Sequence, residues 1–243
     1  MPNPHLDFAG DYNLDKIEII TATNEVLPLR MGVIMELNIY EDIEKNALTG
    51  SMAILDANNI ISNTPLQGNE RVVFRLSTPG TEGNEQIIDA SEETGYPFHI
   101  YAITDRKILS ETLMSYNIHF CSRELMRNAR TRVSRAYDGG LHQAAIKILR
   151  DETGLDSKKQ FYYEQTRNKD KIVIPNMRPL SAMNLLSEKA LSKNANGAGY
   201  YFYETTKGFH FRSYESMLAG QGKFARPSVT VLRYQPKTFF SAH

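Results

Sequence analysis

The sequence predicts an α+β protein in which an N-terminal antiparallel β-domain is followed by a smaller module of helices and short strands. Up to Phe120 apolar and polar residues alternate, and this period of two is typical of strands that bury one face. From Ser122 onward apolar residues recur at the helical intervals of four, four and three, and Ser122 is suited to cap a helix. The positions with this spacing are Leu125, Ala129, Val133 and Ala136. The change of period at Ser122 therefore divides the chain.

The first half contains about seven predicted strands over about 105 residues, without a long helix between them. They are expected at 17–21, 26–29, 33–40, 48–54, 72–76, 98–103 and 116–120. Regularly spaced short strands indicate an antiparallel sandwich or barrel. An arm rich in Pro, Asn and Gly, residues 1–15, precedes the strands, and we expect the long loops at 41–46 and 81–95 to reach neighbouring subunits.

The second half mixes helical and strand patterns. The helix that begins at Ser122 is expected to end at the Asp-Gly-Gly sequence of 138–140, and a third helix is expected to begin at Pro179. Between them lies an amphipathic helix whose apolar face is Leu141, Ala144, Ala145, Ile148 and Leu149. Short strands are expected at 161–163 and 172–174, and a hairpin at 200–203 and 209–211 has Gly208 in its turn. Alternation at 229–233 predicts one more strand.

Composition gives no electrostatic case for nucleic acid or anionic membranes, because 28 basic residues balance 28 acidic ones. The single cysteine, Cys121, cannot form an internal disulfide, which favours assembly in a reducing cytoplasm. No apolar run approaches the ~18 residues that a transmembrane helix needs. We therefore expect no membrane anchoring.

Motifs for catalysis are missing from the sequence. It contains no Gly-x-Ser-x-Gly, His-Glu-x-x-His, P-loop or dinucleotide-binding pattern, so we predict no catalytic residue, no metal and no cofactor. His119 and Cys121 lie two apart on a predicted strand, which is compatible with a nucleophile beside a base or with two metal ligands. Neither role has further partners nearby in the sequence, so a structural role is favoured.

Two other clusters have both a structural and a functional interpretation. Arg123, Arg127 and Arg130 follow one another at helical intervals and form a candidate subunit or phosphate contact. The aromatic run at 200–203 is more typical of a core than of a sugar-binding platform.

The order of several segments resembles one protein family. The segments are LTGSMAILD at 48–56, TPLQGNE at 64–70, YNIHFCSRE at 116–124, IPNMRPL at 174–180, YFYE at 201–204 and GFHFRS at 208–213. Over about residues 15–240 the chain resembles the central baseplate hub protein of contractile-tailed bacteriophages, a relative of the tail-tube protein.

The resemblance implies a four-part organisation. Residues 1–15 are the arm, 16–121 a tube-like β-barrel, 122–218 an α+β insertion domain, and 219–243 a return strand toward a second, incomplete barrel. The chain is then a structural protein of the virion and not an enzyme. It forms a homotrimeric ring in the tail baseplate, is assembled in the host cytoplasm, and contacts tail tube protein, central spike protein and baseplate wedge proteins, while DNA passes transiently through its lumen.

Two alternatives stay open at this point. One is the hub of a related contractile injection or secretion system, which shares the architecture. The other is a hydrolase that uses Cys121 and His119, for which Cys121→Ala would abolish activity.

Overall fold

The fold was obtained as a computed structural model that describes residues 12–57, 60, 68–77, 87–94, 96–167, 169–194 and 199–219. These residues form two units. The first contains the described residues of 1–39 and 49–123, and the second contains 40–48 and the described residues of 124–219. Residues 1–11, residues 81–86 and 95 of the predicted long loop, and the predicted strand at 229–233 lie outside the described residues. The predicted domain boundaries stay a prediction.

The first unit is built on one large sheet. Its strands are β1 (Asn13–Ile20), β2 (Val26–Pro28), β3 (Ile34–Tyr40), β4 (Thr49–Asp56), β5 (Arg71–Ser77), β6 (Ile87–Asp89), β7 (Phe98–Ile108) and β8 (Met114–Ser122). Along the sheet the order is β2-β1-β5-β7-β8-β4-β3, and β6 pairs with β5 beside this path. The strand pairs β2-β1, β1-β5, β5-β7, β7-β8 and β8-β4 are all antiparallel. This confirms the antiparallel sheet that the alternating pattern predicts.

Alternation along the strands places large apolar side chains on one face. In β8 the predicted core residues Tyr116, Ile118 and Phe120 are all buried. The rings of Phe74, Phe98 and Phe120 pack together with centroids 5.2–6.1 Å apart. Gly50 leaves room for this cluster, since a Cβ there would lie 2.2 Å from a ring carbon of Phe120.

The sheet is open among the described residues, because its end strands β2 and β3 are not neighbours in the strand order. β3 also departs from simple alternation. Ile34, Leu37 and Ile39 are buried, whereas Met35 and Tyr40 are exposed.

The second unit combines helices with two small sheets. Its helices are α1 (Arg123–Arg130), α2 (Leu141–Arg150), α3 (Pro179–Lys189) and α4 (Tyr214–Ala219), and its strands are β9 (Val133–Gly140), β10 (Phe161–Tyr163), β11 (Lys169–Met177), β12 (Tyr200–Thr205) and β13 (Gly208–Ser213). β9 pairs with β11, and the other sheet has the order β10-β13-β12, with β10 parallel to β13. Helices α2 and α3 pack in one core with the aromatic side chains of the second sheet. The mixed α+β character is confirmed.

The helix after Ser122 is shorter than the spacing predicts. It ends at Arg130, and Val133 and Ala136 lie in β9 instead. Thr131 closes the last turn by donating from its hydroxyl to the Arg127 carbonyl at 2.9 Å, and β9 then gains a full ladder with β11. Among the described residues the buried Ser122 hydroxyl has no hydrogen-bond partner, so the predicted cap is wrong. Tertiary strand pairing overrides the apolar spacing here.

Other elements of the second half agree with the sequence patterns. α2 buries the five apolar residues predicted for its face, and α3 begins at Pro179 as expected. The hairpin of β12 and β13 has its turn before Gly208, which adopts φ +135°, a conformation that favours glycine.

Candidate functional site

The most prominent surface feature of the first unit is the hairpin formed by β7 and β8. β5 pairs with β7 only at Arg71–His99 and Val72–Phe98. Beyond Ile100, β7 pairs with β8 alone, and β8 continues to pair with β4 up to its start at Met114. We call residues 101–115 the hairpin arm. Its outer edge along β7 is free among the described residues.

Bulges and polar contacts shape the hairpin arm. The ladder shifts register at Tyr101 and again around Asp105, whose φ is +55°. Thr104 Oγ1 lies 2.8 Å from His119 Nε2, and Asn117 donates to the Asp105 carboxylate at 2.9 Å. Bulges and charged side chains are common devices that keep an edge strand from pairing with unrelated chains. Hydrogen bonds within the hairpin arm therefore fix its shape, and its bulges and charged side chains disfavour strand pairing along its outer edge.

Apolar side chains at the end of the hairpin arm face solvent. Ile108 is 77% exposed and Leu109 is 55% exposed, and Tyr101 is half exposed nearer the sheet. The turn itself is closed by a backbone bond from Leu109 N to Leu113 O at 2.8 Å. Adjacent, strongly exposed aliphatic residues on an ordered turn are typical of a contact with another protein.

Cys121 and His119, the two residues of the hydrolase alternative, lie in different environments. Cys121 is 1% exposed, whereas His119 is half-buried and bonded to Thr104. A buried thiol in apolar surroundings is a poor nucleophile. Among the residues with described positions, no group of three or more His, Cys, Asp or Glu side chains could hold a metal ion.

The three candidate arginines do not act as one stripe. Arg127 donates from Nε to the Gly154 carbonyl at 3.0 Å and from Nη2 to the Glu152 carbonyl, so it fixes the turn after α2. Arg123 is half-buried, and Arg130 is exposed at the end of α1. Their role as a subunit or phosphate contact stays a prediction.

The segment expected to reach out as a loop at 41–46 is held against the second unit. Glu41 accepts from Thr206 N at 2.5 Å, and Asn46 donates to the Leu180 carbonyl at 3.2 Å. These bonds are local to the second unit. In the segment predicted as a loop at 81–95, residues 87–89 instead form β6, which pairs with β5. Residues 81–86 and 95 lie outside the described residues.

The aromatic run at 200–203 divides between two faces of its sheet. Tyr200 and Phe202 are buried in the core, as predicted, but Tyr203 lies on the opposite face. There the rings of Tyr162, His210 and Tyr203 stack in one row, with centroids 4.9 and 4.8 Å apart. Burial, with help from Arg212 and Lys207, lowers the pKa of His210 to about 4.

A buried charged cluster is the structural centre of the second unit. Lys159 Nζ lies 2.5 Å from Glu204 Oε1 and 2.9 Å from Glu124 Oε2. The two carboxylates gain further donors, because Ser157 Oγ donates to Glu124 at 2.6 Å and Leu48 N donates to Glu204 at 2.8 Å. The cluster thus joins α1, β12, the 157–159 turn and the segment 40–48.

Electrostatics in this cluster are dominated by its burial. Burial alone lowers the pKa of Lys159, but the carboxylates of Glu204 and Glu124 outweigh it and raise that pKa. Burial raises the pKa of Glu204, because one ammonium cannot fully compensate two buried carboxylates. We conclude that the cluster is a structural clamp, enclosed and without a substrate-accessible opening.

Sequence reasoning did not find this cluster, although a signal is present. Glu204 follows Tyr200 and Phe202 at intervals of two, so strand alternation places it on the same buried face. Glu124 and Lys159 carry no comparable signal, since their burial depends on long-range packing.

No helix among the described residues has the length and apolar character needed to cross a membrane. No protein-family model matches the chain, and no curated protein matches it.

Comparison with solved structures finds phage tail proteins. The chain is similar to the 43 kDa tail protein of prophage MuSo2 from Shewanella oneidensis, with a TM-score of 0.50 and 8% identity over 81% of this chain and 52% of that chain. The tail protein from Neisseria meningitidis MC58 matches with a TM-score of 0.49 and 12% identity, over 82% of this chain and 51% of that chain.

A component of the type VI secretion system of E. coli, described as similar to T4 bacteriophage tail proteins, matches with a TM-score of 0.46 and 12% identity. That match covers 75% of this chain and 46% of the other. The chain spans about half the length of these structures. At such low identity the comparison shows the fold alone, and this chain shares a fold with the MuSo2 tail protein.

Proposed function

We propose that this protein is a structural hub subunit of a phage tail baseplate. In this proposal three copies form a ring that joins the tail tube to the central spike, contacts the wedge proteins at its periphery and lets DNA pass through its lumen. No enzymatic activity is proposed.

The observation that carries the proposal is the fold shared with the MuSo2 tail protein, together with the hairpin arm. A large open sheet offers backbone edges to other chains, and the arm presents Ile108 and Leu109 to solvent. The buried charges of Glu124, Lys159 and Glu204 in the second unit instead form an internal clamp. These features suit a protein whose function is to bind other proteins.

Electron microscopy of mixtures tests the proposal. Purified protein mixed with the tail tube protein and the spike protein encoded beside it should form rings of threefold symmetry between tube ends and spikes. Rings with another symmetry, or tube and spike preparations that retain none of the protein, would contradict it.

The hub of a contractile injection or secretion apparatus is the alternative with the same architecture. In this proposal the fold does not separate the two, because in either apparatus the hub would join a tube to a spike. Capsid and terminase genes beside the hub gene support the phage tail, and their replacement by effector genes supports the injection apparatus.

A further inference from the structure

We infer that an open groove on the second unit receives arginine side chains from a second copy of this chain. The groove has a volume of about 500 Å³ and lies between the segment 43–46, the C-terminal half of α3 and the first residues of β12. This contact rests on the homotrimer of the proposed function and would be one of the interfaces that hold it together.

The groove carries negative charge that no described residue of its own unit neutralises. Glu44 and Glu188 both line it and both are exposed. Among the described residues neither carboxylate has an ion-pair or hydrogen-bond partner. None of the described residues that line the groove is a lysine or an arginine.

The remaining lining suits a guanidinium group. Tyr201 supplies an aromatic ring, of the kind on which arginine stacks. Asn46 donates a side-chain hydrogen bond to Asn184 Oδ1 at 2.6 Å, and both side chains add polar surface to the groove. Arginine is also the cation best adapted to pair with carboxylates in a fixed, bidentate geometry.

A matching pair of arginines lies where α1 ends and β9 begins. Arg130 and Arg132 are exposed, and neither has an ion-pair or hydrogen-bond partner within the described part of the chain. The neighbouring arginines in this stretch do have partners. Arg127 is hydrogen-bonded to the turn after α2, and Arg135 lies 2.8 Å from a carboxylate of that turn. Two arginines of this stretch are thus left for an outside partner.

The complementary patches point to a second copy as the occupant. Two carboxylates and two guanidinium groups are equal in number and opposite in charge, and among the described residues they do not pair with each other. A contact between different patches on successive copies closes into a ring when its rotation permits. The chain has a net charge of zero, so copies approach without long-range repulsion.

Charge reversal in the full chain tests the contact, with sedimentation equilibrium at 150 mM NaCl as the readout. Glu44→Arg with Glu188→Arg should weaken self-association about tenfold or more, and Arg130→Glu with Arg132→Glu should do the same. The variant that combines all four changes should regain an association constant within about threefold of wild type, because the inverted charges pair again.

Matched control variants reverse exposed charges elsewhere on the same unit. Glu152→Arg and Lys147→Glu alter side chains that lie outside the groove and have no partner among the described residues. Both should associate like wild type. If they weaken association as strongly as the groove variants, a general charge effect replaces the specific contact.

The outcomes separate this contact from the proposed function. A wild-type chain that stays monomeric overturns both. A wild-type trimer that neither double reversal weakens overturns the contact and leaves the hub proposal standing, and so does a combined variant that regains nothing. If a reversal variant fails to fold by circular dichroism, Glu44→Gln with Glu188→Gln takes its place, and unchanged association of that variant overturns the contact.

Discussion

Removing the ammonium of the buried cluster should destabilise the protein strongly. The side chains of Lys159, Glu124 and Glu204 are 10%, 3% and 0% exposed. Lys159→Met keeps most of the side-chain volume but leaves two carboxylates buried without a cation. Breaking a buried ion pair in this way costs about 3–5 kcal/mol, far more than the ~0–1 kcal/mol of a surface pair.

Urea denaturation followed by circular dichroism measures this loss at one fixed protein concentration. Lys147→Met is the matched control, because Lys147 is an exposed lysine on α2, and its free energy of unfolding should stay within about 0.5 kcal/mol of wild type. Adding Glu124→Gln and Glu204→Gln to Lys159→Met should recover a large part of the lost free energy of unfolding. The triple variant lacks the ammonium but also lacks the two buried negative charges that the ammonium compensates.

The pH dependence of the same variant gives an independent check. Without the ammonium, nothing in the cluster opposes the effect of burial on Glu204, so the pKa of Glu204 in the folded state lies above the ordinary value of 4.5. The folded state then binds more protons than the unfolded state, so stability falls as pH rises past 4.5. The cost of Lys159→Met should therefore be smaller at pH 5 than at pH 8. A loss below 1 kcal/mol, or a loss that does not change with pH, would refute the clamp.

Three further predictions concern other parts of the molecule. Gly50→Ala should cost about 1–3 kcal/mol or more, because its Cβ would lie 2.2 Å from an aromatic ring, whereas Gly32→Ala meets nothing within 4 Å and should be nearly neutral in thermal unfolding. Wild type should lose about 1–3 kcal/mol as pH falls from 6.5 toward 4, because the folded pKa of His210 is lowered to about 4, and His210→Phe should flatten that part of the pH profile. Ile108→Ser with Leu109→Ser should leave the melting temperature within about 2 °C but weaken trimer formation at least tenfold in light scattering.

Each of these has a clear contrary result. Equal stability of the two glycine variants would mean that the aromatic core can yield at Gly50. An unchanged acid profile in His210→Phe would assign the acid sensitivity to other groups. A trimer unaffected by changes at Ile108 and Leu109 would remove the hairpin arm from the assembly surface.

The elements that sequence reasoning predicted well are those whose pattern is local. Strand alternation around Ile118 and the five-residue apolar face of α2 follow directly from the periods of strand and helix. The turn before Gly208 follows from the conformational freedom of glycine. In these places local preference and tertiary packing agree.

The failures come from long-range contacts. Val133 fits a helical spacing, but a ladder with β11 draws it into a strand. The loop at 41–46 looks solvent-exposed in sequence, yet hydrogen bonds hold it to residues more than 130 positions away. The clamp of Lys159 joins residues 35 and 45 positions apart, and no local pattern marks such partners. A single sequence could therefore predict the fold class, but not the charged centre of the second unit or the groove near Glu188.

The mass of the purified protein in solution, measured by light scattering across a concentration series, tests the hub proposal most directly. A homotrimeric hub predicts a mass near three times the chain mass of 27.6 kDa, maintained at micromolar concentration. A mass of 27.6 kDa at every concentration, together with no binding to tube or spike protein, would contradict it.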